Sequence, residues 1–316
     1  MKKNLCAIAI TIFVTSMFSI AACENDSHNG IEQATPTATV QTSTPTVTPI
    51  ITPTIEPTVV PSTGAIIIDH RCTDLDDIPQ QWIEQAKIDL NIAYGHTSHG
   101  SQITDGMSGL VGFAGGLYAW NGDGSNGALQ LQDGGLGEAS DLGNPDFTAW
   151  ESTTRNYLNA HPSTNVIMWS WCGQVSSSSS DDIDTYLGLM SGLEQDYPNV
   201  HFVYMTGHTD GSGLEGNLHI RNQQIRDYCT ANDKILYDFE DIESYDPDGN
   251  YFGDKYVTDS CDYDGGNWAV EWQNSHMEGV EWYQCSSAHS QPLNANLKAY
   301  AAWWLWARLA GWPGNS

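Results

Sequence analysis

The chain has 316 residues, with 39 acidic and 11 basic side chains that give a formal net charge of −28 at pH 7. So acidic a surface repels nucleic acid and anionic lipid, which excludes nucleic-acid binding and argues against polyanionic substrates. The length allows one α/β domain with a full core after the N-terminal segments.

The N-terminus has the pattern of an export signal. Two lysines precede an apolar stretch over 5–20, which is shorter than the roughly 18–20 residues that a bilayer crossing needs. We therefore predict a signal peptide over 1–22. The tetrapeptide IAAC at 20–23 resembles a prokaryotic lipobox, which implies that Cys23 becomes a lipid anchor; an ordinary signal peptide is the alternative. We expect an exported protein, anchored at the cell surface or the periplasmic face, that touches the membrane only through its lipid.

A Thr/Pro-rich segment separates this anchor from the rest of the chain. Proline recurs at nearly every third position over 33–63, which blocks both helix formation and strand pairing. We predict an extended, lipid-anchored linker over 23–64 and a folded domain over 65–316.

The domain alternates helical and strand patterns. In chain order, the periodicity predicts a helix over 79–87, strands over 88–95 and 128–132, a helix over 146–160, a strand over 165–171, a helix over 181–196, a strand over 200–207, a helix over 217–232, a strand over 234–239 and a helix over 294–310. Continuous apolar strands separated by helices are typical of a parallel sheet covered on both faces. The expected fold is therefore α/β, with a mostly parallel sheet of about five strands.

Polar residues cluster where three of these strands end. The segments are 95–99 (GHTSH), 172–174 (CGQ) and 207–210 (GHTD). In parallel α/β sheets, ligands bind at the carboxyl ends of the strands. We therefore predict a functional site formed by these three segments.

The serine-bearing turn after the first strand and the histidine before the last helix, in SSAHSQPLNANLKAYAAWWLWARLAGW, resemble the SGNH/GDSL hydrolases. The resemblance implies a three-layer α/β/α sandwich of flavodoxin-like type and cleavage of esters, including O-acyl groups on carbohydrate. It implies Ser98 as nucleophile; Thr97 is the strict positional match to the family serine, and Ser101 is a third option. His289 matches the catalytic histidine.

The resemblance also assigns supporting roles. The oxyanion donors would be the Ser98 N–H, Gly143 and Gln174, the last in place of the family asparagine. The position three before His289 holds a serine instead of the family aspartate. We therefore expect Asp210, or a backbone carbonyl, to orient His289.

Two other functions remain open from the residues. Imidazole and carboxylate groups suit zinc, so a metal-dependent hydrolase is one alternative, with ligands drawn from His96, His99, His208, Asp210, His219 and His289. A non-catalytic glycan-binding surface protein is the other. No cofactor is expected otherwise, and the partner is a carbohydrate or a small ester. The loop over 246–254 carries Asp246, Asp248, Asn250 and Asp254 at alternating positions, which predicts either a simple turn or a calcium site.

Aromatic and cysteine content add two expectations. All 12 tryptophans follow the linker, which predicts some exposed indoles that could carry sugar rings. Five cysteines follow it too, and exported proteins usually pair theirs. We expect Cys261 to pair with Cys285, because both lie in one Gly/Asp-rich region, and Cys72 to pair with Cys229, leaving one thiol.

Overall fold

A parallel sheet of seven strands forms the centre of the computed structural model, which describes residues 64–314. The predicted signal peptide, Cys23 and the linker up to residue 63 lie outside this range. The strands are β1 (Ile66–Ile68), β2 (Asn91–Gly95), β3 (Trp120–Asn121), β4 (Leu129–Asp133), β5 (Val166–Trp169), β6 (His201–Met205) and β7 (Ile235–Tyr237). Their order is β1-β7-β6-β5-β2-β4-β3, and every neighbouring pair is parallel.

Helices connect and cover the strands. They are α1 (Gln80–Asp89), α2 (Ser101–Ala114), α3 (Ala149–Ala160), α4 (Ser180–Asp196), α5 (Asn217–Ala231), α6 (Phe239–Glu243), α7 (Trp268–Ser275) and α8 (Pro292–Leu309). A two-stranded hairpin, β8 (Asp262–Tyr263) with β9 (Gly266–Asn267), lies outside the main sheet. Within residues 64–314, no helix combines the length and apolarity that a membrane crossing requires.

The sheet is buried on both faces because its strands are apolar at consecutive positions. On β5, Val166 and Met168 pack into one core with α1, α2 and α8. Ile167 and Trp169 face the opposite core with α3, α4 and α5. This arrangement confirms the α/β class and the three-layer sandwich. The expected strand number was too low, because the short edge strands β1 and β3 carry too few residues for a periodic signal.

Helix α8 is the main helix of the first core. Its indoles Trp303 and Trp306 are fully buried, and it packs most extensively against α2. That contact requires Gly106 on α2, because a Cβ at this position would lie 2.0 Å from the Ala295 carbonyl oxygen. The close approach of the two helices fixes the turn that precedes α2 relative to the loop that precedes α8.

The tryptophans belong to the core. Nine of the 12 are buried and the other three, Trp82, Trp120 and Trp272, are half-buried. The expectation of exposed indole platforms is therefore wrong. The α/β sandwich uses these side chains to fill two cores, where each buries a large apolar area.

The predicted disulfides are also wrong, because all five cysteines of residues 64–314 are free thiols. Cys72 lies in the core beside α8 and Cys229 in the core beside α5, so the sheet separates them. Cys261 contacts Ser290 Oγ at 3.4 Å, whereas Cys285 contacts Asn296 Nδ2 at 3.4 Å. Proximity in the sequence therefore does not place these two sulfurs together.

Candidate active site

The three predicted segments lie side by side at the carboxyl edge of the sheet. β5 pairs with β2 on one side and with β6 on the other. The chain moves from β2 to β4 in one direction and from β5 to β6 in the opposite direction. Such a reversal opens a crevice between neighbouring strand ends in doubly wound sheets. The turn after β2 and the segment after β5 form its two walls.

A thiol, an imidazole and a carboxylate are aligned in this crevice. Cys172 Sγ lies 3.3 Å from His99 Nδ1, and His99 Nε2 lies 3.0 Å from Asp259 Oδ2. Cys172 is half-buried, His99 is 7 % exposed and Asp259 is half-buried. A nucleophile, a base and an orienting acid in that order are the parts of a nucleophilic hydrolase.

The turn that carries His99 packs tightly against β5. Gly100 is required there, because a Cβ would lie 2.3 Å from Ser170 Oγ. The first backbone hydrogen bond of α2 runs from Ser101 N to Thr97 O at 3.2 Å. The N–H groups of residues 98–100 lie before this bond, so the hydrogen-bond ladder of the helix does not use them. Ser98 Oγ lies 3.7 Å from Cys172 Sγ. The sulfur is therefore close to the N-terminus of α2, where the helix favours negative charge.

The pKa shifts of His99 and Asp259 suit a general base that is held by a carboxylate anion. Burial lowers the pKa of His99; the hydrogen bond to Asp259 opposes this shift, and the neighbouring His208 adds to it. At Asp259, burial acts to raise the pKa, but the hydrogen bond from His99 and the charge of His208 outweigh it and lower it. His99 is therefore neutral and Asp259 ionised near neutral pH.

His99 is the middle ring of three stacked histidines. His208 stacks on it with ring centroids 3.7 Å apart and 7° between the planes, and His289 lies on the other side at 4.5 Å and 19°. His208 Nδ1 lies 2.7 Å from Thr209 O, whereas its Nε2 is buried without a hydrogen-bond partner among residues 64–314. His289 is exposed and has a left-handed backbone (φ 62°).

A buried ion pair supports the segments that carry the two outer histidines. Lys298 is fully buried and pairs with Glu243, which accepts hydrogen bonds from Thr209 N at 2.8 Å and Thr209 Oγ1 at 3.1 Å. Lys298 also donates to Gln102, which in turn donates to the Ala288 carbonyl at 2.5 Å. One ammonium group thus links the backbone beside His208 with the strained turn that precedes α8.

Two of the three expected oxyanion donors, Gly143 and Gln174, point elsewhere. Gly143 N and Gln174 Nε2 both donate to Asp141 Oδ1, each at 3.0 Å, and Thr97 Oγ1 donates to Asp141 Oδ2 at 2.8 Å. Asp141 is 1 % exposed. These groups therefore hold a buried carboxylate and are not directed into the crevice.

The expected serine–histidine pair does not meet. Among residues 64–314, His289 makes no hydrogen bond to Thr97, Ser98 or Ser101; its ring faces His99. Ser101 Oγ donates to Ser98 O at 2.8 Å. Asp210 is exposed and accepts from Ser212 N at 2.9 Å, so it caps its own turn and makes no hydrogen bond to His289.

Two of the six proposed metal ligands come together with a third residue. His99, His208 and Asp259 have ligand atoms within 4.8 Å of one another. His96 faces the other side of β2, where its Nε2 lies 2.7 Å from Asp133 Oδ1. His219 pairs with Glu240 at 3.1 Å. The structure therefore divides the predicted histidines among three locations.

The acidic loop over 246–254 closes on itself. Asp246 Oδ1 accepts from the backbone of Asp248 and Asn250 at 3.0 and 2.8 Å, and Asn250 Nδ2 donates to Asp246 Oδ2 at 2.9 Å. Asp254 lies beyond this turn and is exposed. These hydrogen bonds are those of an Asx turn, and they account for Asp246 and Asn250.

A second histidine–carboxylate pair lies at the end of β1. His70 Nδ1 is 2.5 Å from Asp241 Oδ1, and the His70 ring stacks on Tyr245 at 3.5 Å. Both Asp69 oxygens accept from Arg71. Asp69, His70 and Asp241 form the other close group of possible metal ligands in the described chain.

Sequence reasoning missed two residues of the aligned set. Cys172 was expected to be a strand-end residue, not a nucleophile, although an odd thiol directly after a buried strand was the available signal. Asp259 lies in the irregular segment between α6 and β8, where no periodicity marks it. Its role depends on a contact across 160 residues of chain.

Comparison with known proteins places the chain in no group: no family model, curated protein or solved structure matches it.

Proposed function

We propose that this protein is an exported hydrolase that cleaves O-acyl groups from carbohydrate or from small esters, with Cys172 as nucleophile, His99 as base and Asp259 as the acid that orients the base. The observation that carries the proposal is the alignment of the three groups, at 3.3 and 3.0 Å, at a strand-end crevice. The resemblance to SGNH hydrolases supports ester chemistry, but the nucleophile proposed here is a thiol in place of the family serine.

The groups support a two-step reaction. His99 Nδ1 takes the thiol proton as Cys172 Sγ attacks the acyl carbon, and the oxyanion that forms lies near the N–H groups of residues 98–100, which precede α2. The C–O bond then breaks, and the leaving alcohol takes the proton from His99. Water, deprotonated by His99, attacks the thioester, and the acid product and the free thiol are released.

The other thiols of the described chain are poor alternatives. Burial raises the pKa to about 12 at Cys72, Cys261 and Cys285, and raises it further at Cys229. Such thiols stay protonated near neutral pH, and the thiolate is the reactive form. Within residues 64–314, Cys172 is the cysteine that contacts a histidine.

Turnover of p-nitrophenyl acetate and release of acetate from acetylated xylan test the proposal. Cys172→Ala is expected to lower kcat by about 10⁶-fold, the loss seen when the nucleophile of a hydrolytic triad is removed. Ser98→Ala is the matched control, since Ser98 contacts the same sulfur, and it is expected to retain most of the turnover. Loss in Ser98→Ala with retention in Cys172→Ala would assign the nucleophile to the serine. No ester turnover by the wild type would favour the non-catalytic glycan-binding alternative.

A second candidate function, metal-dependent hydrolysis, is favoured by one observation. His208 Nε2 is buried and unpartnered, while its Nδ1 is held by the Thr209 carbonyl, the usual arrangement of a ligand histidine. With His99 and Asp259 it offers two nitrogens and one oxygen, a set that fits zinc. The bound ion would supply an activated water.

Inhibition separates the two candidates. The thiol route predicts that iodoacetamide abolishes turnover and that exhaustive dialysis against EDTA leaves it unchanged. The metal route predicts the reverse dependence on EDTA, with stoichiometric zinc in the purified protein. Activity lost with EDTA and restored by zinc would overturn the thiol route.

A further inference from the structure

A second cavity lies behind the segments that carry His208 and Asp259. It has a volume of about 200 Å³ and is bounded by the loop that leads into α5, by α5 itself, by α6 and by the segment over 251–257. Thr209 and Val257 line it, each close in sequence to a residue of the candidate active site. The reaction proposed above uses none of the groups in this cavity.

Its polar wall offers acceptors and donors spread around the space. Glu240 is 7 % exposed and lines the cavity, where its Oε2 is buried and pairs with Arg226 Nη2 at 2.8 Å. Asp210 and Asp241 each use one oxygen, for Ser212 and His70 respectively, and leave the other without a hydrogen bond among residues 64–314.

Donors face the same space. Arg226 donates to Asp238 from Nε at 2.6 Å and from Nη2 at 2.7 Å, and its Nη1 makes no hydrogen bond within the described residues. His219 Nδ1 is hydrogen-bonded to Glu240, so its Nε2 remains available for a hydrogen bond to a ligand. The apolar part of the lining is formed by Leu214, Leu218, Val257 and the ring of Tyr251, and the polar Thr209, Gln223 and Ser244 complete it. Apolar side chains together with several hydrogen-bond donors and acceptors are the lining expected around a polyhydroxylated ring.

Charge and geometry argue against other occupants. Asp238 and Glu240 already neutralise the Arg226 guanidinium, so the acidic lining disfavours phosphate or carboxylate ligands. The three lining carboxylates Asp210, Glu240 and Asp241 do not converge as a metal-holding group. The separated acceptors require a ligand with several separated hydroxyl groups.

From this lining we infer that the cavity is a binding site for one neutral sugar ring, held by hydroxyl hydrogen bonds to Asp210 and Asp241 and by donation from Arg226 and His219. The inference concerns binding alone, so it stands or falls independently of the thiol chemistry. If the sugar site and the thiol hydrolase proposal are both correct, the sugar is the alcohol part of the ester substrate.

Saturation-transfer NMR on the purified chain tests the inference. The probes are D-glucose, D-galactose, D-mannose, D-xylose and N-acetyl-D-glucosamine, with D-glucosamine as the cationic counterpart. We expect at least one neutral sugar to bind saturably at millimolar concentration. Cys172→Ala should bind it equally well, which keeps a failure of the proposed function distinguishable from a failure of the sugar site.

Two variants with matched controls locate the site. Leu214→Trp should block the cavity and abolish binding, whereas Ile220→Trp, at a position of nearly equal exposure (45 % against 43 %) outside the lining, should not. Asp210→Asn should weaken binding about tenfold through loss of a charged acceptor. Glu194→Gln, in the ion pair with Lys234 outside the lining, is its control.

Absence of saturable binding by every neutral sugar overturns the inference. Binding that survives both Leu214→Trp and Asp210→Asn also overturns it, because the sugar then lies elsewhere. Binding of D-glucosamine alone would show a cation site and equally contradict the proposal of a neutral ring.

Discussion

Two histidine–carboxylate pairs, His99–Asp259 and His70–Asp241, differ in what surrounds them. His70 stacks on Tyr245, and its carboxylate partner also accepts the His70 backbone N–H at 2.9 Å, so the pair joins the end of β1 to α6. His99 instead faces a thiol on its Nδ1 side and a second histidine with an unpartnered nitrogen on its ring face. Both places therefore have an imidazole bound to a carboxylate. They differ in the other group that the imidazole contacts, which is a tyrosine ring at His70 and a thiol at His99.

The position in the sheet explains the difference. His99 follows the central strand β2, beside the crevice between the ends of β2 and β5. His70 follows the edge strand β1, where its neighbours are one tyrosine and the start of α6. The same pair of residue types stabilises the fold at the edge and forms a candidate reactive centre at the switch point.

The largest expected effect is on catalysis. His99→Ala should lower kcat/KM for p-nitrophenyl acetate by about 10²–10⁴-fold, the usual contribution of a general base. His70→Ala is the matched control and should leave kcat/KM within about twofold, because that ring touches no group of the crevice. Equal losses in the two variants would mean that the two pairs do not differ as argued.

The next effect is on stability, through the cations that support each region. Lys298→Met leaves Glu243 buried without its partner and should lower the free energy of unfolding by about 3–5 kcal/mol. Arg71→Met removes an ion pair whose arginine is 74 % exposed, and it should cost about 1 kcal/mol or less. Urea unfolding followed by circular dichroism measures both, and Lys298→Met with Glu243→Gln in the same chain should recover part of the loss.

A smaller effect is expected in the pH profile. Because the pKa of His99 is lowered, the acid limb of kcat/KM should have its midpoint below about 6.5. The Asp259 hydrogen bond raises that pKa, so Asp259→Asn should move the midpoint to lower pH, and His208→Gln should move it to higher pH. Shifts in the opposite directions would contradict the assignment of His99 as the base.

The smallest effect concerns the structural pair. His70→Ala should lower the free energy of unfolding by about 1–2 kcal/mol, through the lost carboxylate hydrogen bond and the lost stacking on Tyr245. Tyr245→Leu, which removes the stacking and keeps the hydrogen bond to Asp241, should cost less. The midpoints of urea unfolding, compared at an unchanged dependence of the free energy on urea concentration, measure the two losses. An unchanged midpoint in His70→Ala would show that the His70–Asp241 pair does not stabilise the fold.

The sequence by itself determined the class of the fold and the location of the crevice. Continuous apolar runs such as 165–171 are long enough to mark strands buried on both faces, and the polar residues that end them mark the carboxyl edge of the sheet. The edge strands β1 and β3 escaped detection because they hold three and two residues. The predicted disulfide between Cys72 and Cys229 was wrong because the periodicity of the sequence does not show that the sheet separates these residues.

Only the tertiary structure decided which side chains meet. Asp259 reaches His99 from an irregular segment 160 residues away, and Asp141 takes the hydrogen bonds of Gly143 and Gln174 that a resemblance to hydrolases assigns to an oxyanion. Strand ends converge as a consequence of sheet topology, which the chain order indicates. Hydrogen-bond partners depend instead on loop paths and on which buried groups must be satisfied, and local patterns do not encode these.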